Sequence, residues 1–346
     1  VNKTARCRTL LLSGVLLFLM SCSKEPVPLP DPGQLPLTEP QISALYGVTA
    51  PDIALSDSQV QTIKVQQREL SVRLLAPAQP GQYPLLVFSH GNWSDQLQYE
   101  PLLQHWAKHG YAILSLNHDD CCGMASGILA ALRYGNLKLI EQRVQDIALL
   151  LNHPAELDAL LPAQVSLDHN TIAITGHSFG AYTAQLFAGA TLFDTEQKRQ
   201  RPVQQLLDKP QAVKAVLAIS PPGPMFDEIT EQSWQSIDKP MLVTTGTWDV
   251  EPRFFPDYKL HLMSHQTAPA GDQYALVIAG ADHYYGNLIC RPKRDQAPQL
   301  AQFKLLQSVS IAFLNSYVKQ DPKATEFLQQ NQITKATQGF ASLFIK

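Results

Sequence analysis

Three residues of this sequence, Ser178, Asp249 and His283, are of the types that together carry out acyl transfer. A serine hydroxyl is a weak nucleophile until an imidazole takes its proton. The imidazole in turn needs a carboxylate to hold its tautomer and stabilise its charged form. Ser178 is the centre of Gly176-His177-Ser178-Phe179-Gly180, a G-x-S-x-G stretch. The apolar run Ile172-Ala173-Ile174 precedes it, and a segment rich in helix formers follows it to about Gly189. The reading is strand, sharp turn, helix, with the serine at the turn. Such a turn brings backbone close on both sides, and the flanking glycines remove Cβ atoms that would clash. The helix beginning after Ser178 points its free amides toward the place where an oxyanion would form. A chance G-x-S-x-G in an ordinary turn is the bland alternative, and it does not account for the strand and helix on either side.

The partners of the serine come later in the chain. Met241 to Thr245 reads as a strand ending in Gly246-Thr247-Trp248-Asp249, and Tyr274 to Ile278 as one ending in Ala279-Gly280-Ala281-Asp282-His283. The order nucleophile, acid, base is that of the α/β-hydrolase arrangement. All three residues follow strand ends, which in open α/β sheets share one edge. His283 is the expected base and Asp249 the residue that orients it. Asp282 is next to His283 in sequence and should point away from its ring, while Glu251 and Asp257 lie further along the loop. His177 should pack against neighbouring strands rather than reach Ser178. The apolar run Leu85 to Phe88 reads as a central strand, and Ser89-His90-Gly91-Asn92-Trp93 follows it. The backbone N–H groups of Asn92 and Phe179 are the expected oxyanion donors. No metal or cofactor is expected. His105 and His109 share a helix face, but Trp106 stands where a zinc protease needs glutamate, so both are expected at the surface or an interface. His118 and His90 are the second choices for the base.

Positioning these residues calls for a particular body. Gln59 to Leu75 alternates apolar and polar residues as an antiparallel hairpin does. A helix from Gln98 to His109 ends at Gly110, and Tyr111 to Leu116 is a buried strand. The polar loop Asn117 to Gly123 should lie on the edge that carries the serine. Tyr134 to Asn152 is a helix, Val213 to Ile219 a strand, and Ala297 to Val318 a long helix across the sheet. Alternating strands and helices predict a mostly parallel central sheet with helices on both faces, an α/β-hydrolase fold.

The segments L-L-V-F-S-H-G, R-V-Q-D-I-A-L-L-L, I-A-I-T-G-H-S-F-G-A-Y, T-G-T-W-D and G-A-D-H resemble the platelet-activating-factor acetylhydrolase and predicted dienelactone hydrolase group. The resemblance runs from about Leu70 to Val318 and is most specific at G-H-S-F-G and S-H-G. It implies a serine esterase acting on short or oxidised acyl esters without a metal. True dienelactone hydrolases use cysteine where this chain has Ser178, which sets dienelactone itself apart. Similar polyester-degrading hydrolases share the triad order, so polyesters and lipid esters stand as alternative substrates. A hydrolase-fold binding lipoprotein without activity is the competing class of function.

With 346 residues, 45% of them apolar and 16% charged, the chain can bury a large core. A formal charge of −3 gives no reason to expect nucleic acid as a partner. Lys3, Arg6 and Arg8 precede the apolar run Leu10 to Met20, which is short for a membrane span and fits a secretory signal. Leu19-Met20-Ser21-Cys22 resembles a bacterial lipobox. The expected organisation is a signal peptide over residues 1–21, a lipidated Cys22 with a proline-rich tether over 22–50, and a catalytic domain over 51–346. The acylated N-terminus would hold the protein to the bacterial cell envelope, at the outer membrane on its periplasmic side or surface. Ser23 after the lipidated cysteine, where inner-membrane lipoproteins resemble one another in having Asp, implies the outer membrane. Cys121, Cys122 and Cys290 remain, and two states are open. Either Cys290 pairs with Cys121 or Cys122 and one thiol stays free, or all three are reduced.

Overall fold

The computed structural model describes residues 28–203, 207, 212–252 and 254–346. The proposed signal peptide and Cys22 lie outside the described residues. Twelve strands are present among them: β1 (Leu55–Asp57), β2 (Gln61–Val65), β3 (Arg68–Pro77), β4 (Gly81–Ser89), β5 (Ala112–Leu116), β6 (Val165–His177), β7 (Thr191–Asp194), β8 (Arg199–Pro202), β9 (Val213–Ile219), β10 (Met241–Gly246), β11 (Gln273–Ile278) and β12 (Ala341–Ile345). Ten of them form one sheet in the order β1-β3-β5-β4-β6-β9-β10-β11-β12, with β2 paired to β3. From β5 to β11 every pairing is parallel, and the antiparallel pairs lie at the two ends. β7 and β8 form a separate hairpin.

The parallel strands are apolar throughout because both faces are covered. Successive side chains along β4 serve opposite sides: Leu85 and Val87 enter one core, Leu86 and Phe88 the other. The first core is closed by α3 (Asn136–Leu151) and α4 (Phe179–Phe187), through Val144, Ile147, Tyr182 and Leu186. The second is closed by α1 (Glu100–Lys108) and α5 (Leu300–Tyr317), through Leu102, Trp106, Val309 and Phe313. The chain has the α/β-hydrolase fold, as its alternation of strands and helices predicts. β5 and β6 flank β4 on opposite sides, so the topology reverses there, at the point where open α/β sheets place their sites.

The structure departs from expectation in four places. The helix expected from Tyr134 is preceded by another, α2 (Met124–Tyr134), and Gly135 at φ +76° separates the two. The sequence pattern did not separate β12 and the β7–β8 hairpin from loop, because short edge strands carry little periodicity. His105 is buried rather than at the surface. Burial and the nearby His109 lower its pKa from the ordinary value to about 3. The proline-rich segment lies against the body from Pro30 onward. Trp248 Nε1 donates to Pro30 O at 2.7 Å, and Ser308 Oγ donates to Tyr46 O at 2.7 Å. Among the described residues no helix is long and apolar enough to cross a membrane.

Trp106 is fully buried, and its indole N–H donates to Ser310 Oγ at 3.1 Å, tying α1 to α5. Trp106→Ala is expected to lower stability by about 3–5 kcal/mol, measurable by urea unfolding.

Candidate active site

Ser178 stands between β6 and α4 with φ +53° and ψ −122°, a backbone conformation that side chains other than glycine rarely adopt. Its N–H donates to Ile219 O at 2.8 Å, and the residue is half-buried. The glycines around it answer to close contacts. A Cβ on Gly180 would stand 2.0 Å from Ser89 O, and one on Gly176 would stand 2.2 Å from Gly180 O. Helix α4 therefore rests directly on the end of β4. A Cβ on Gly91 would come 3.3 Å from Ser178 Cβ, so the loop after β4 lies against the serine. Gly91 N–H donates to Tyr99 Oη at 2.9 Å. The N–H groups of Asn92 and Phe179 make no such bond among the described residues.

Asp249 and His283 are brought together as the chain order predicts. His283 Nδ1 is 2.7 Å from Asp249 Oδ1, and Thr245 Oγ1 donates to Oδ2 at 2.9 Å. Asp249 is fully buried. Burial alone would raise its pKa, but the adjacent His261 and His283 outweigh it and hold the carboxyl well below the usual range. Asp282 faces away as expected, accepting from the N–H groups of Tyr284 and Gly286 and pairing with Arg294. Asp257 caps its own turn through Lys259 N. No hydrogen bond joins Ser178 Oγ to His283 among the described residues. In hydrolases without a substrate that contact is often open and closes in the complex.

His177 does more than fill space. Its Nε2 donates to His283 O at 2.9 Å, so its Nδ1 is the acceptor for the Tyr99 hydroxyl at 3.1 Å. A continuous chain thus runs from Gly91 N–H through Tyr99 and His177 to the backbone of His283. Burial pushes the His177 pKa well down, and the neutral ring is the form this chain requires.

His90 and His118, the second choices for the base, pack against the loop after β4. His90 Nδ1 donates to Gly91 O, and its Nε2 accepts from His118 N. His118 Nε2 meets Ser89 Oγ at 2.9 Å. Beneath them Arg143 grips Asp120 with two hydrogen bonds of 3.0 and 2.7 Å and donates to His90 O at 2.8 Å. The same guanidinium lies 4.7 Å from the Phe179 ring centroid, so one cation contacts both the loop after β4 and the elbow.

The cysteines correct the expectation. Cys121 and Cys122 are bonded to each other, and Cys290 is a buried free thiol. The adjacent pair lies at an open loop, and Cys122 takes a left-handed φ of +70°. Cys290 is held by its N–H, which donates to Gln98 O at 2.8 Å.

The sequence reading missed His261. Its ring is fully buried, with Nε2 3.0 Å from Asp249 Oδ1. Asp249, His261 and His283 put ligand-type atoms within 4.8 Å of one another. A zinc-like ion about 2.0–2.2 Å from each ligand would hold tetrahedral ligand atoms roughly 3.4 Å apart. The two ring nitrogens stand closer than that to one carboxylate oxygen, at 2.7 and 3.0 Å, too near for all three to be ligands of one such ion. The residues as placed do not fit an ion. A histidine in an irregular turn with no motif around it leaves no signal in sequence.

Arg143 and Asp120 are each about 1% exposed. Arg143→Met leaves Asp120 charged and unpaired, and should cost about 3–5 kcal/mol. Adding Asp120→Leu should restore part of that loss in the same urea titration.

Residues 49–193 of this chain match the Chlorophyllase family model. Chlorophyllase-1 of Arabidopsis thaliana is 30% identical over 114 residues, which cover 33% of this chain and 31% of that protein. The chain thus spans about a third of the length of the curated relative it matches. The family match takes in the loop after β4 and the elbow, and stops before Asp249 and His283. The chain has the α/β-hydrolase fold, and over residues 49–193 it is similar to chlorophyllases.

Proposed function

We propose that this protein is a serine esterase in which Ser178, His283 and Asp249 form the catalytic triad. Ser178 Oγ attacks the carbonyl carbon of a carboxylic ester while His283 takes its proton. The oxyanion is received by the N–H groups of Asn92 and Phe179. The alcohol leaves with the proton from His283. Water, deprotonated by the same ring, then attacks the acyl-enzyme, the acid departs, and Ser178 regains its hydrogen. Asp249 holds Nδ1 of the imidazole throughout.

The observation that carries this reading is the left-handed φ of Ser178 at a strand-to-helix turn, on the sheet edge that also holds the Asp249–His283 bond. The likeness to a chlorophyllase supports ester hydrolysis. Asn92 lines a cleft of about 720 Å³ whose walls include Trp93, Leu97 and Met124 on one side and Arg291 and Lys293 on another. Met124, Ile128, Leu129 and Leu132 of α2 are exposed. These apolar surfaces favour a small-molecule or lipid ester, in keeping with the motif resemblance to platelet-activating-factor acetylhydrolases. The proposal extends to location: a Cys22-acylated protein held to the bacterial envelope.

Ser178→Ala should lower turnover of short p-nitrophenyl esters by about 10⁴-fold or more, and Asp249→Asn by about 10⁴-fold. A serine-directed phosphonate should label wild type at Ser178. Near-normal turnover in the alanine variant would sink the assignment, and chlorophyll assayed alongside tests whether the relative's substrate is shared. For the anchor, Cys22→Ser should shift the protein out of the membrane fraction. Wild type carrying no acyl mass on Cys22 would refute that part.

A further inference from the structure

Asp249 has two imidazole neighbours, and a serine triad uses only one. His261 stands on the short turn Tyr258–Leu262 with its ring enclosed. Its Nδ1 lies 2.7 Å from Pro221 O, and its Nε2 lies 3.0 Å from Asp249 Oδ1. A carbonyl oxygen only accepts, so Nδ1 carries a hydrogen. The charge of the ring then depends on Nε2. Without a hydrogen, Nε2 would turn a lone pair toward a carboxylate in a site closed to water, with no donor to satisfy it. With one, the ring is an imidazolium against a carboxylate. The approach is off the direct line of a hydrogen bond, so the attraction is mainly between charges.

We propose that His261 is a buried imidazolium, permanently ion-paired with Asp249, and that it serves as a positioning residue which keeps the esterase active toward lower pH. This rests on reading Asp249 and His283 as the acid and base. A carboxylate alone favours the charged form of an imidazole beside it, and a cation on the carboxylate's other side offsets that pull. The titratable groups facing this cluster are few. Asp249 comes from the loop after β10, His283 and the Tyr284 and Tyr285 phenols from the loop after β11, with Arg291 and Arg294 over the Tyr284 ring, and His177 from the elbow. Burial keeps His177 and Tyr285 neutral, lowering the pKa of the first and raising that of the second. Burial also opposes charge on His261, but Asp249 outweighs it and holds the ring's pKa above its ordinary value. Phe255, its ring centroid 4.7 Å from that of His261 and 4.8 Å from that of His283, closes the cluster on one side.

Histidine-selective ¹⁵N labelling of the wild-type protein reads the charge directly. His261 should show two protonated ring nitrogens at about pH 8, well above the ordinary imidazole value of about 6.5. A neutral His261 there overturns the proposal. The second measurement is kcat/KM against pH with a p-nitrophenyl ester, for wild type and His261→Gln, which keeps a donor and loses the charge. The acidic limb of the variant should move up by about one pH unit, with KM unchanged. Superimposable profiles, or a lower plateau with no displacement, would mean a merely structural role and overturn the inference. Loss of wild-type activity on chelation with EDTA, restored by Zn²⁺, would put an ion where the proton is proposed and also overturn it. If the variant does not fold, the labelling experiment decides. If wild type shows neither ester turnover nor phosphonate labelling at Ser178, the esterase reading is what fails, and the charge of His261 is still measured.

Discussion

The carbonyl oxygen of Ser89 occupies the space where a side chain on residue 180 would begin. That single contact makes the rest of the site possible. It lets α4 start at the very end of β4, with the loop after β4 lying against Ser178. The strain at Ser178 follows from the same closeness: a chain turning from strand to helix within one residue has to pass through a left-handed conformation. The elbow tolerates this because Ile219 and Ser89 hold it from both neighbouring strands.

Around this contact the fold sets polar groups that water cannot reach and links many of them to one another, while His118 Nδ1, His261 Nε2 and the Tyr285 hydroxyl make no hydrogen bond among the described residues. Gly91, Tyr99, His177 and His283 form one hydrogen-bonded chain, so the loop after β4 and the loop after β11 are directly linked. Arg143 and Asp120 do the same work beneath the elbow. Buried charges of this kind add little net stability over an apolar core, but each removal leaves the partner stranded. They narrow the arrangements open to the loops, which suits a site whose reacting atoms must meet within fractions of an ångström.

Much of the layout was legible in sequence. The strand ends before Ser178, Asp249 and His283 stood out because parallel strands buried on both faces are continuous apolar runs. The G-x-S-x-G stretch stood out because its glycines answer a steric demand within a few residues. The Asp249–His283 bond followed from chain order. Other features were not legible, each for a physical reason. Gly135 lies between two helices, and both flanks have helical periodicity, so the break shows only in its φ. The Cys121–Cys122 bond joins neighbours, where the count of cysteines suggested a longer loop. His105 lies on a helix whose polar face turned out to be covered by the segment around Gly47.

What the sequence by itself determined was what local chemistry and periodicity can encode: the parallel sheet, the elbow with its glycines, and the placing of Ser178, Asp249 and His283 after strand ends. What the tertiary structure decided was which groups from distant segments share one buried space. His261, His177 and Arg143 lie far from their partners along the chain, and no spacing rule links them. Their protonation and charge depend on which atoms face them once water is excluded. That is a property of the packed interior, and no stretch of the chain holds it alone.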